Sequence, residues 1–132
     1  MKTASLLIRT KNEERSLGAT LTALFDQTLP AHEVFIVDSG SRDRTLEIAS
    51  RWPVHIIRVS PSGWSYPRAL NTGAGEATGD FLVCLSAHCP PAHRDWLAHL
   101  LRHFDDETIA ATWGPSIRRW SSLAADAQPV RQ

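Results

Sequence analysis

Little in this chain speaks for nucleic acid, for covalent staples or for a membrane. Its 14 basic residues are matched by 14 acidic ones, a formal charge of zero. No basic run stands out, so the sequence-independent grip on a phosphate backbone that a nucleic-acid protein requires is missing. No apolar run approaches the ~18 residues of a membrane-spanning helix. The opening segment, Met1 to Ile8, has too short an apolar stretch for a signal peptide and is followed at once by Arg9 and Lys11. The two cysteines, Cys84 and Cys89, lack the spacing of a disulfide framework. They fall in or beside a run that reads as a buried strand, which suits a reduced, cytoplasmic compartment, with any membrane association made through partners. Cys84, His88, Cys89 and His93 fit the spacing of no familiar zinc finger. What is present is 132 residues, 42% of them hydrophobic. That is enough for one core that folds without metal or disulfide.

Apolar periodicity alternates between strand and helix along the chain. Ala4–Arg9 is a short apolar run. Asn12 then reads as a helix cap, with Glu13 and Glu14 where the helix dipole favours negative charge. Leu17, Leu21, Leu24 and Phe25 repeat at helical spacing up to about Gln27, before Pro30. Glu33–Asp38 holds Val34-Phe35-Ile36-Val37, the continuous β-favouring run of a strand buried on both faces. Ser39-Gly40-Ser41 turns the chain. Ser41 then caps a predicted second helix through Trp52, which Pro53 stops. Val54–Val59 reads as a third strand, and residues 60–67, dense in Pro, Gly and Ser, as a loop. Arg68–Ala77 reads as a short helix carrying Leu70, Ala74 and Ala77 on one side, with Gly79 expected in a left-handed closing position. Asp80–Leu85 is the most apolar strand, Ala92–Phe104 a helix, and Ile109–Trp113 a last strand. Beyond Gly114 and Pro115 the periodicity ends. Residues 1–115 therefore read as one domain, and 116–132 as a tail that is loose or ordered by a partner.

This alternation implies an α/β fold, a mostly parallel sheet flanked by helices on both faces and joined by right-handed crossovers. In such sheets ligands sit beyond the carboxyl ends of the strands. Arg9–Asn12, Asp38–Ser41 and Ser86–Cys89 should therefore gather on one rim. Each has a plain alternative role: Asn12 as a cap, Asp38 as a turn former, His88 as a surface residue. Their convergence from three separate segments is what points to a binding site.

Three motifs in order, with strands between them, carry a family resemblance. They are Ser5-Leu6-Leu7-Ile8-Arg9-Thr10-Lys11-Asn12-Glu13-Glu14, Val37-Asp38-Ser39-Gly40-Ser41-Arg42-Asp43-Arg44-Thr45 and Arg68-Ala69-Leu70-Asn71-Thr72-Gly73. Over roughly residues 4 to 114 the chain resembles the family 2 glycosyltransferases of the GT-A fold, a Rossmann-like nucleotide-sugar binding architecture. The resemblance implies a nucleotide-diphosphate sugar as donor, an acceptor hydroxyl of unknown identity, inversion at the sugar, and usually a divalent metal, manganese or magnesium. It places Thr10, Lys11, Asn12 and Glu13 in the first-strand loop along the nucleotide. It makes Asp38, followed by Ser39, the carboxylate that meets the base, a role suited to an acceptor-only group. It sets Arg68 near the diphosphate, where a planar cation suits phosphate oxygens. Asn71 and Gly73 serve the local fold.

The chain departs from that pattern at Ser86-Ala87-His88, where the family's metal-binding Asp-x-Asp is expected. Those carboxylates hold a hard cation that offsets charge on the leaving diphosphate. His88 is the one candidate metal ligand left, for a softer ion such as manganese or zinc, or else it stabilises the diphosphate directly. No residue is assigned as the catalytic base, and Asp105, Asp106 and Glu107 read as solvated charges at a helix end. An active hexosyltransferase-type enzyme, a non-catalytic nucleotide-sugar module needing a partner, and a folded remnant that binds proteins all stay open. A homodimer through a sheet edge or an apolar patch at Trp113 and Trp120 is a further expectation.

Overall fold

The chain's most apolar segments stack beside one another in the computed structural model, which describes residues 2–63 and 65–114. β1 (Ala4–Thr10), β2 (Glu33–Asp38), β3 (His55–Arg58) and β4 (Phe81–Ser86) form one sheet in the order β3-β2-β1-β4. All three ladders are parallel, with Leu7 opposite Phe35 on one side and Cys84 on the other. β1 is central, and every residue in it except Arg9 is buried.

Chain direction dictates where the helices go. The steps from β1 to β2 and β2 to β3 move one way across the sheet, through α1 (Leu17–Phe25) and α2 (Thr45–Ala49). The step from β3 to β4 moves back past β2 and β1, so a right-handed crossover puts α3 (Tyr66–Glu76) on the opposite face. Leu6, Ile8, Val34, Ile36 and Val83 form the core on the first face with Leu17, Leu21 and Leu24 of α1 and Leu97 and Leu101 of α4 (Trp96–Arg102). α3 lies over β1 and β2 so closely that a methyl group on Gly73 would stand 2.7 Å from Leu7 Cδ2 and 3.0 Å from Val37 Cγ2. Helices thus cover both faces of a parallel sheet, as the sequence implies.

Several local expectations are corrected. Asn12 does not cap a helix: its φ of 52° is left-handed, a conformation asparagine tolerates, and α1 begins after a turn closed by Glu13. Glu13 and Glu14 consequently lie outside its first turn. Ser41 does not cap α2 either, because its hydroxyl is engaged with Asp38, and α2 is limited to Thr45–Ala49. α3 starts two residues before Arg68 on a Ser65 cap and buries Ala69 and Gly73. Gly79 has no left-handed φ. Its role is close approach, since a Cβ there would meet Ser5 N at 2.8 Å. β4 is less buried than expected: Leu82 is 46% exposed, and Cys84, like Cys89 just beyond the strand, is an exposed free thiol. Ile109–Trp113 makes no strand. A turn at Asp106–Ile109 precedes it and no described strand lies beside it to complete a ladder, which leaves Trp113 77% exposed. The expected tail, residues 116–132, and Trp120 within it lie outside the described residues.

Candidate functional site

Parallel strands put all four carboxyl ends on one rim. The strand order reverses between β1 and β4, so the crevice of the fold opens between the ends of those two strands. Two clusters of polar side chains stand on this rim.

The first cluster ties the end of β1 to the end of β2. Asp38, 1% exposed, accepts at Oδ1 from the hydroxyls of Thr10 (2.8 Å) and Ser41, and at Oδ2 from the backbone N–H groups of Gly40 (3.0 Å) and Ser41 (2.8 Å). Burial pushes this carboxyl up, but the Ser41, Thr10 and Gly40 hydrogen bonds outweigh it and hold Asp38 below its ordinary value. The Ser39 hydroxyl donates to the Thr10 carbonyl, and Lys11 Nζ donates to the carbonyls of Ser39 (2.9 Å) and Gly40 (3.0 Å). Asn12 interlocks the two loops: its N–H donates to the Ser41 hydroxyl and its side-chain carbonyl accepts from the Arg42 N–H. The Glu13 N–H donates to Thr45 Oγ1 at 2.8 Å, and the Glu14 N–H to Asp43.

The second cluster sits at the end of β4. Thr20 of α1 donates to the Ala87 carbonyl at 2.7 Å, which fixes the turn and sends the Ala87 methyl inward, 1% exposed. His88 is thereby left facing out. Its ring nitrogens lie 3.2 Å from Ser86 Oγ, and Nδ1 lies 3.6 Å from Glu13 Oε1. Glu13 joins the clusters, because its backbone is held by Thr45 and its carboxylate faces His88.

Comparison with known proteins decides the family. The family model for glycosyl transferase family 2 matches residues 5–123. The chain belongs to that family. It is 35% identical over 100 residues to the glycosyltransferase AglE of Haloferax volcanii, covering 70% of this chain and 32% of the relative. It is 33% identical over 89 residues to the O-antigen chain rhamnosyltransferase WbaN of Salmonella anatum, covering 67% and 28% respectively. Among solved structures, the mannosyltransferase PcManGT of Pyrobaculum calidifontis, in complex with GDP-Man and Mn2+, superposes with a TM-score of 0.73 at 28% identity, over 82% of this chain and 34% of that one. S. aureus TarS 1-349 superposes with a TM-score of 0.71 at 20% identity, a likeness of fold, and the neighbours are GT-A glycosyltransferases. The chain spans about a third of the length of these relatives.

Set against the family pattern, Thr10, Lys11, Asn12, Glu13, Asp38 and Ser39 come together as one hydrogen-bonded unit, and Ser86 and His88 reach it through Glu13. Arg68 lies on the exposed first turn of α3, where the Ser65 hydroxyl accepts from its backbone N–H. Ser41, Asp43 and Thr45 are partners that a residue-by-residue motif reading passes over. Their signal was the density of short hydroxyl and carboxylate side chains after β2, residues that bond nearby backbone and shape turns.

A divalent metal, which PcManGT is shown with, does not fit the residues that stand at the expected position. Ser86 offers a neutral hydroxyl, Ala87 points into the core, and His88 offers one imidazole. A hard cation of the magnesium type is bound through carboxylate oxygens and demands near-octahedral oxygen ligation. Asp38 has its acceptor positions filled by four internal donors, and Glu13 also accepts from the Ser16 hydroxyl. Among the described residues no group of three His, Cys, Asp or Glu side chains is placed to hold an ion, and no helix is long and apolar enough to cross a membrane.

Proposed function

We propose that this chain is the donor-binding part of an inverting glycosyltransferase that takes a nucleotide-diphosphate sugar and, in the complete enzyme, transfers the sugar to an acceptor hydroxyl. The observation that carries the reading is the pair of polar clusters on the carboxyl-end rim, one around Asp38 and one at His88, joined through Glu13, in a fold shared with a GDP-mannose-bound relative. The base lies against the first cluster. Of Asp38's four donors the Ser41 hydroxyl alone is both rotatable and half-exposed, so it is the donor that a base N–H replaces. Arg68, at the start of α3, meets the phosphates. The free thiols Cys84 and Cys89 suit a reduced, cytoplasmic setting.

A second reading, a nucleotide-sugar module without turnover of its own, is favoured by one observation. The rim carboxylates Glu13, Glu14, Asp38 and Asp43 all accept hydrogen bonds that hold its turns. A general base for the acceptor then comes from outside the described residues.

A thermal-shift panel with uridine, guanosine and thymidine diphosphates and their sugars tests both. A ligand at 100 times its dissociation constant adds about 2.7 kcal/mol and a rise of several degrees. A base-selective rise is the expected result, and flat curves throughout would overturn donor binding. Sugar transfer to added acceptor hydroxyls by the isolated chain would then exclude the second reading.

A further inference from the structure

Building on the donor-binding reading, we propose that this chain holds the donor's diphosphate without a bridging divalent cation, and that Glu13 and His88 together take the place of the metal site. The geometry supports each part. The turn that carries His88 is fixed from beneath by the Thr20 hydrogen bond to the Ala87 carbonyl and closed by the Cys89 N–H on the Ser86 carbonyl. His88 thus projects at the crevice mouth as an exposed ring on a rigid base, the placement that a direct phosphate contact needs. Imidazole always carries at least one N–H donor, whereas the carboxylates expected here would repel a diphosphate unless a cation lay between them.

Glu13 is the carboxylate paired with this ring, its Oε1 facing His88 Nδ1 at 3.6 Å. A bare anion there would oppose a second anion. Paired with the ring it instead orients His88, whose two ring nitrogens both lie 3.2 Å from the Ser86 hydroxyl. Glu13 is therefore a positioning residue, and its backbone is locked by the Thr45 hydroxyl. The arrangement contacts the phosphates through donors alone.

Isothermal titration of the full chain with uridine, guanosine and thymidine diphosphates, in EDTA and in manganese chloride, decides the matter. The expected result is binding whose dissociation constant changes less than about twofold between the two buffers. His88→Ala should weaken it about tenfold or more, equally in both, as loss of a charge-assisted contact of about 1.5–3 kcal/mol implies. The exposed position of His88 means that this variant keeps its fold, which an unchanged melting temperature verifies. The double variant Ser86→Asp, His88→Asp should bind only with manganese, because it installs the carboxylate pair. Binding by the unmodified chain that EDTA abolishes and manganese restores would overturn this inference and leave donor binding standing. Absence of binding in both buffers would overturn donor binding and this inference with it.

Discussion

Asp38 holds four donors with one carboxylate, and the consequences can be measured one atom at a time. Asp38→Asn sets an amide N–H₂ where one oxygen stood, so the two hydrogen bonds made to that oxygen must break or, at the Thr10 and Ser41 hydroxyls, reverse. A loss of about 1–3 kcal/mol in a urea titration is expected, with unchanged slope. Asp38→Ala should cost more, because the turn loses its anchor altogether. The turn-forming part of Asp38 was legible, because a carboxylate closing an apolar strand before Ser-Gly-Ser readily bonds the N–H groups and hydroxyls of the turn that follows. That of Lys11 was not. The resemblance sets it in the loop along the nucleotide, and the structure adds that its ammonium spends two donors on the Ser39 and Gly40 carbonyls. Lys11→Met should therefore lower stability before it lowers affinity, by about 1 kcal/mol.

Element positions followed from apolar runs, because runs report burial and burial selects strands and helix faces. Helix starts did not follow, since Asn12 and Ser41 satisfy each other across two loops, a pairing 29 residues apart that no local window contains. β4 shows the same limit: its apolar composition reads as a buried strand, while Leu82 and Cys84 are exposed. α3 offers a matched pair of tests. Gly73→Ala drives a methyl into Leu7 and Val37, and the helix gain of up to about 1 kcal/mol is outweighed by overpacking of about 1–3 kcal/mol. Gly75 has nothing within 4 Å of a would-be Cβ, so Gly75→Ala should stabilise by about 0.5–1 kcal/mol. Thermal unfolding of the two variants should move in opposite directions, and Gly73→Ala should also weaken nucleotide binding, because it displaces the helix that carries Arg68.

At the scale of the molecule, the rim opposite the crevice is closed by Glu33. The Ser5 hydroxyl at 2.6 Å and the Thr78 N–H at 2.6 Å, with the Thr78 hydroxyl, hold its carboxyl at about 2 against an ordinary 4.5. A lowered value means stability that is complete above 4.5 and drains away as pH falls from there toward 2. Glu33→Gln should flatten that acid decline in melting temperature, while leaving nucleotide affinity at neutral pH alone. The clamp also joins parts of the chain that are made far apart in time. Of the described strands β1 is synthesised before the others, and its second neighbour, β4, after them, with Thr3 and Asp80 bonded across 77 residues. Pairings of such sequence separation are late and slow events in folding. The crevice between β1 and β4 does not exist until that closing step, so nucleotide capture doubles as a clock for folding. In stopped-flow refolding, helix signal should recover well before ligand fluorescence does, and the lag between them measures how long the first strand waits for its partner.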